Sequence, residues 1–240
     1  MVFFLMPVMS VLAVYVLAAI LPAAFLMRYI YRQDSIEKEP PNLLGALILL
    51  GIFAALVSIV LEMIGEKILP LLVGRSSPVY VIVLAFLVVA VVEEGTKFFF
   101  LYRRTWNDPN FNYRFDGIVY AVFISLGFAA FENVKYVLYY GLSVAAPRAL
   151  LAIPGHMGFA VFMGIFYGRA KLCHDCGNES GKVLNLAAGY LIAVLLHGFY
   201  DSCAMISSTR STVIFVAFVV IMYFIVIRLI HRESAGDTPV

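Results

Sequence analysis

The sequence predicts an all-α, polytopic transmembrane helical bundle of about seven spans. Of its 240 residues, 63% are hydrophobic and 13% charged, where soluble domains average roughly 45–50% apolar and 25% charged. The mean hydropathy is +0.96. The apolar excess falls in blocks of about twenty residues, the length that crosses a hydrocarbon core at about 1.5 Å per residue. The cations sit in short loops between these blocks, so the net charge of +2 points to no nucleic-acid partner. Three cysteines make no disulfide framework.

Taken in order, the expected spans are Val2–Met27, Leu43–Ile64, Val79–Tyr102, Gly117–Tyr140, Arg148–Ala170, Val183–Met205 and Thr212–Leu229. The first has no basic n-region before Arg28 and is long enough to span, so it reads as a membrane helix rather than a cleaved signal. The fifth carries Gly164 and Gly168, a small-xxx-small pair of the kind that lets helices approach closely in lipid. Residues 1–232 read as a single transmembrane domain and residues 233–240 as a polar, disordered C-terminal tail. No internal repeat is evident, which weighs against a transporter of duplicated halves.

Basic residues set an expected orientation. Arg28, Arg32, Lys38, Arg103, Arg104, Arg114, Arg169, Lys171, Lys182, Arg228 and Arg232 fall on one side. Only Lys67, Arg75, Arg148 and Arg210 fall on the other. The protein is therefore expected to be integral to the cell membrane, with its N-terminus outside and its C-terminus cytoplasmic.

Charged groups inside the bilayer cost at least about 2.5–3.5 kcal/mol each on insertion scales, so each is a functional candidate. The third span holds Glu93, Glu94 and Lys97. Glu93 and Lys97 share a helix face, and Glu94 is turned away by about 100°. An internal ion pair explains one carboxylate but leaves a second beside it. The fourth span holds Glu132, Asn133, Lys135 and Tyr136. Tyr136 is placed to orient Glu132, Lys135 to neutralise it, and Asn133 to bond between helices. On the fifth span His156 lies between Gly155 and Gly158, where another backbone can approach. On the sixth, His197 and Asp201 are spaced for the carboxylate to fix the imidazole tautomer.

Counted from the expected outer ends, Glu132, His156 and His197 lie roughly 12–14 Å deep and Glu93 roughly 20 Å. Four helices thus bring polar groups toward one layer. Carboxylates paired with histidines suit amide hydrolysis, in which one group takes a proton from water and another donates to the oxyanion or amine. The expected catalytic set is Glu93, Glu94, Glu132, His156, His197 and Asp201, supported by Lys97, Tyr136 and Asn133. Ser125 and Cys203 lack the company a nucleophile needs.

Two alternatives stand beside hydrolysis by carboxylates alone. Glu93, Glu132, His156 and His197 are possible zinc ligands, and Asp201 another, although the His-Glu-x-x-His helix is absent. Chains of Glu and His also build proton-coupled transporters. No cofactor is expected, with zinc as the alternative. The Cys173–Cys176 pair is at most half a zinc site and reads as a loop feature.

At Glu93-Glu94-x-x-Lys97, Phe131-Glu132-x-x-x-Tyr136, His156 and His197-x-x-x-Asp201 the sequence resembles the PrsW family of membrane proteases. A further match is the Tyr31–Pro40 loop with Asp34, Glu37 and Glu39. That family belongs with the CAAX-prenyl endopeptidases and bacteriocin-processing enzymes. The resemblance implies a glutamate-dependent intramembrane endopeptidase acting in regulated proteolysis. It also implies a single-span membrane protein as substrate, in better-known relatives an anti-sigma factor cut near the outer surface. By likeness to the CAAX enzymes, Glu93 is the implied general base, and His197 with the residue four later stabilises the oxyanion. Two departures matter: Asp201 stands where those enzymes have asparagine, and Glu132 stands where their Phe-x-x-x-His motif has histidine. His156 is the natural substitute for that histidine.

Overall fold

Backbone in lipid must satisfy its own hydrogen bonds, so apolar runs of this length fold as helices. The computed structural model describes residues 2–77, 79–206 and 208–240, with side chains described from Met9 onward. In order come α1 (Val2–Gln33), α2 (Pro41–Leu72), α3 (Tyr80–Val83), a π-helical segment (Leu84–Ala90) and α4 (Val91–Thr105). Then follow α5 (Asp116–Tyr140), α6 (Ala145–Leu150), α7 (Ala152–Asp175), α8 (Glu179–Met205) and α9 (Thr209–Ala235).

Local chemistry sets the helix ends. Pro41 opens α2 at a position where its missing N–H is not needed. The side chains of Asn178 and Ser208 accept from the backbone N–H of Gly181 and Ser211 and cap α8 and α9. Gly141 and Gly177 take positive φ, 86° and 74°, just after α5 and α7, a conformation glycine adopts without steric cost.

Among the described residues, six helices are long and apolar enough to cross a membrane. The remaining expected span, the third at Val79–Tyr102, is built as Tyr80–Thr105, where it is divided by its π segment and carries the charged residues of α4. Most helices run past their expected ends. The first reaches Gln33 rather than Met27, and the second Leu72 rather than Ile64.

The most enclosed helix is α5, packed on α1, α2 and α7, while α8 covers the other side of α7. The large apolar residues of α2 and α9 are widely exposed, as a surface facing lipid tails would be. The Gly164–Gly168 pair meets Gly117 of α5. A Cβ added at Gly164 would stand 2.5 Å from the Ile118 Cα, and one at Gly168 would collide with the Arg114 carbonyl. We expect Gly164→Val to force α5 and α7 apart, at about 1–3 kcal/mol or more, measured as a lowered thermal midpoint in detergent.

The C-terminal residues correct an expectation. They are docked rather than disordered. Glu233 ends α9 in ion pairs with Arg114 at 3.1 Å and Arg169 at 3.6 Å. Beyond it, the Arg114 N–H donates to the Thr238 carbonyl, the Val240 N–H to the Asn112 carbonyl and the Phe115 N–H to Asp237. The α4–α5 loop finds in this tail the partners its backbone would otherwise lack.

Candidate active site

Glu93 and Glu94 begin α4, directly after the π segment. Both carboxylates are buried, and their neighbour Lys97 is 1% exposed. The Lys97 Nζ donates to Glu94 Oε1 at 2.8 Å and Glu93 Oε2 at 3.1 Å, and it lies 3.9 Å from the Phe128 ring centroid. It also reaches His156 Nδ1 at 3.2 Å. An ammonium has only donors, so Nδ1 accepts and the His156 proton sits on Nε2. That nitrogen faces Glu132 Oε2 at 3.3 Å. Ser125 donates to the His156 carbonyl, the structural role left to it.

His197 is held among three carboxylates. Its Nδ1 is 2.8 Å from Glu94 Oε1, while Nε2 stands 3.3 Å from Asp201 Oδ2 and 3.9 Å from Glu93 Oε2. Carboxylates accept, and one faces each ring nitrogen, so Glu94 holds the imidazole at Nδ1 and Asp201, the partner that spacing suggested, holds it at Nε2. The ring stacks on Phe159, with centroids 4.9 Å apart at 19°. The two imidazoles lie 5.3 Å apart, edge to face.

These groups border a cavity of about 1150 Å³. Glu93, Glu132, His156, His197 and Asp201 line it, while Glu94 and Lys97 do not. The adjacent glutamates therefore differ in kind: one faces the cavity and the other braces the imidazole behind it. Glu93, set deeper than its partners by residue counting, nonetheless lies 3.9 Å from His197.

The supporting residues divide. Asn133 bonds between helices, donating to the Ala19 carbonyl and accepting from Arg148. Tyr136 does not bond Glu132; its ring lies 3.9 Å beneath the Arg148 guanidinium, which itself reaches Glu132 at 3.4 Å. Lys135 is a looser partner of Glu132 at 3.8 Å. Cys173 and Cys176 stay as free thiols at the end of α7, away from the cavity.

Arg148 is a site residue that sequence reasoning missed, having been counted as a loop cation. Glu62 is a second. It lines the cavity from α2, and its Oε1 has no hydrogen-bond partner among the described residues. A lone acid inside an apolar run was the available signal for it.

Glu93, Glu94, His156 and His197 each offer one ligand atom within 4.8 Å of the others. Carboxylates and imidazoles are a set that zinc takes, and the buried Glu94 Oε2 lacks a hydrogen-bond partner. By donor type and burial the residues fit a metal. Glu94 joins this group where Glu132 was expected. The Lys97 ammonium already touches three of the four.

Residues 39–229 match the family described as PrsW family intramembrane metalloprotease. A Protease PrsW of Clostridioides difficile is 33% identical over 86% of this chain and 86% of its own length. One from Shouchella clausii is 30% identical over 91% and 96%, and one from Bacillus subtilis 32% over 77% and 79%. No solved structure matches.

Proposed function

The chain belongs to the PrsW family of intramembrane proteases, and from that premise we propose that it cuts a peptide bond of a membrane-anchored protein with water activated by Glu93. The supporting observation is that Glu93 alone of its pair lines the cavity that both histidines also border. Glu93 takes a proton from water as the oxygen attacks the scissile carbonyl, and returns it to the amine as the C–N bond breaks. His156 and His197 offer N–H groups to the oxyanion. Asp201 sits beside His197 Nε2 at 3.3 Å, where it orients the imidazole toward the cavity. Glu94, Lys97 and Arg148 are positioning residues. The substrate segment must unwind locally, since a helix hides its amides.

A second reading has support from the donor set and the family's description. Zinc held by Glu93, Glu94, His156 and His197 would supply Lewis acidity and lower the pKa of bound water. Lys97 would then have to give up its contacts with these side chains.

We assign residues 1–232 to one peptidase domain in the cell membrane, N-terminus outside, acting on a single-span protein of the anti-sigma-factor kind. Purified protein and such a substrate in detergent test the reading. Wild type should cleave and His197→Ala should lose about 10²–10³-fold. Cleavage that survives a strong chelator supports carboxylate catalysis; cleavage that a chelator stops and zinc restores supports the metal. Equal cleavage by His197→Ala and wild type would contradict both.

A further inference from the structure

A second group of buried carboxylates lies at the opposite end of the bundle. Asp34 follows the last turn of α1, Glu39 precedes α2 and Asp116 opens α5. They are 1%, 3% and 1% exposed, and one oxygen of each lies within 4.8 Å of the others. Asp116 is sixteen residues before Glu132 on α5, roughly 24 Å along the helix, so this cluster is separate from the candidate active site.

Its charge is only partly offset, by Lys38 near Asp34. Among the described residues no ion pair reaches any of the three. Lys38, the nearest cation in sequence, turns its Nζ to the backbone carbonyls of Tyr31 and Asp34. Arg114 is committed to Glu233. Glu37 and Asp237 add further negative charge at Asp34. Burial pushes the Asp34 carboxyl up to about 6 and that of Glu39 up to about 7, a measure of how poorly the ionised forms are accommodated without a counter-charge.

Three polar atoms there lack partners. Asp34 Oδ2 and Glu39 Oε2 have none. Neither does the hydroxyl of Tyr120, one turn along α5 from Asp116, fully buried beside Glu39 and Asp116. Asp116 keeps Oδ2 for the N–H groups of Asn112 and Tyr113, leaving Oδ1 for a ligand. A buried neutral hydroxyl beside Glu39 and Asp116, with no well-formed hydrogen bond to either, is a group that an ion or its water would satisfy.

We propose that Asp34, Glu39 and Asp116, with the Tyr120 hydroxyl, bind a hard divalent cation, magnesium or calcium. The donors are oxygens only, with neither imidazole nor thiolate, which excludes this pocket as a preferred zinc or copper site. The ion ties the α1–α2 loop to the start of α5, next to the docked C-terminal tail. Its role is structural.

The full chain, stripped with a chelator, is titrated with magnesium chloride or calcium chloride alone against potassium chloride of equal ionic strength. The thermal midpoint should rise saturably, by roughly 5–10 °C at a hundredfold excess over Kd. The larger response identifies the ion. Asp34→Asn/Glu39→Gln should lose the response, and its ion-free midpoint should equal or exceed that of wild type, because removing like charges needs no ion. Glu93→Gln/His197→Ala, which dismantles the other donor set, should keep the response and bind one manganese per chain by electron paramagnetic resonance. A rise that potassium reproduces, or that survives in Asp34→Asn/Glu39→Gln, would overturn the proposal. So would stabilisation by mild acidification with no response to either ion, which would assign protons to the cluster.

Discussion

Replacing Glu93 with glutamine is expected to abolish cleavage, by about 10³-fold or more, with no loss of folding. Glutamine keeps the shape and still accepts from the Lys97 ammonium, which holds Glu93 Oε2 at 3.1 Å. It cannot take a proton from water. General-base catalysis is worth about 10²–10⁴-fold, and a group that also returns the proton loses both steps. The variant should match wild type in thermal midpoint and elution volume while its kcat falls below detection. Residual activity within tenfold of wild type would assign the base elsewhere, with Glu132 the next carboxylate on the cavity wall.

Lys97→Met is expected to have the largest effect on stability. The lysine side chain is 2% exposed and neutralises Glu93 and Glu94, whose side chains are 6% and 1% exposed. Removing one partner of a buried ion pair costs about 3–5 kcal/mol, because the remaining charge stays buried. Here two carboxylates would remain, and His156 would lose the donor that fixes its tautomer. Thermal unfolding in detergent measures the loss. Adding zinc to this variant separates the two chemistries proposed for the site. If the donors take a metal, zinc should restore most of the midpoint, since it replaces the missing positive charge among the same atoms. If Lys97 is the resident cation of a carboxylate enzyme, zinc should have little effect.

Much of this arrangement was legible in the sequence because membrane insertion penalises charge. Glu93, Glu132, His156, His197 and Asp201 stood out against apolar surroundings, and their helical positions brought them toward one layer. What could not be read was which atom faces which. The π segment at Leu84–Ala90 shifts the register of everything after it. The apolar pattern before that segment therefore does not say which of Glu93 and Glu94, about 100° apart on α4, faces the cavity. Arg148 was hidden for another reason. It lies on the short helix α6 that follows the turn at Gly141, and only that turn folds it back over Tyr136 toward Glu132. The carboxylates Asp34, Glu39 and Asp116 lie on ordinary polar loop segments and helix ends. Their burial arises from contact between distant parts of the chain, which no local pattern records. The docking of the C-terminal tail escaped for the same reason.

The most direct test is mass spectrometry of the products made from a single-span substrate by wild-type and Glu93→Gln protein in liposomes. Intramembrane hydrolysis at this cavity predicts new termini inside the apolar segment of the substrate, formed by wild type and absent with Glu93→Gln. Cuts confined to the substrate's water-exposed parts, or the same cuts from both proteins, would contradict it.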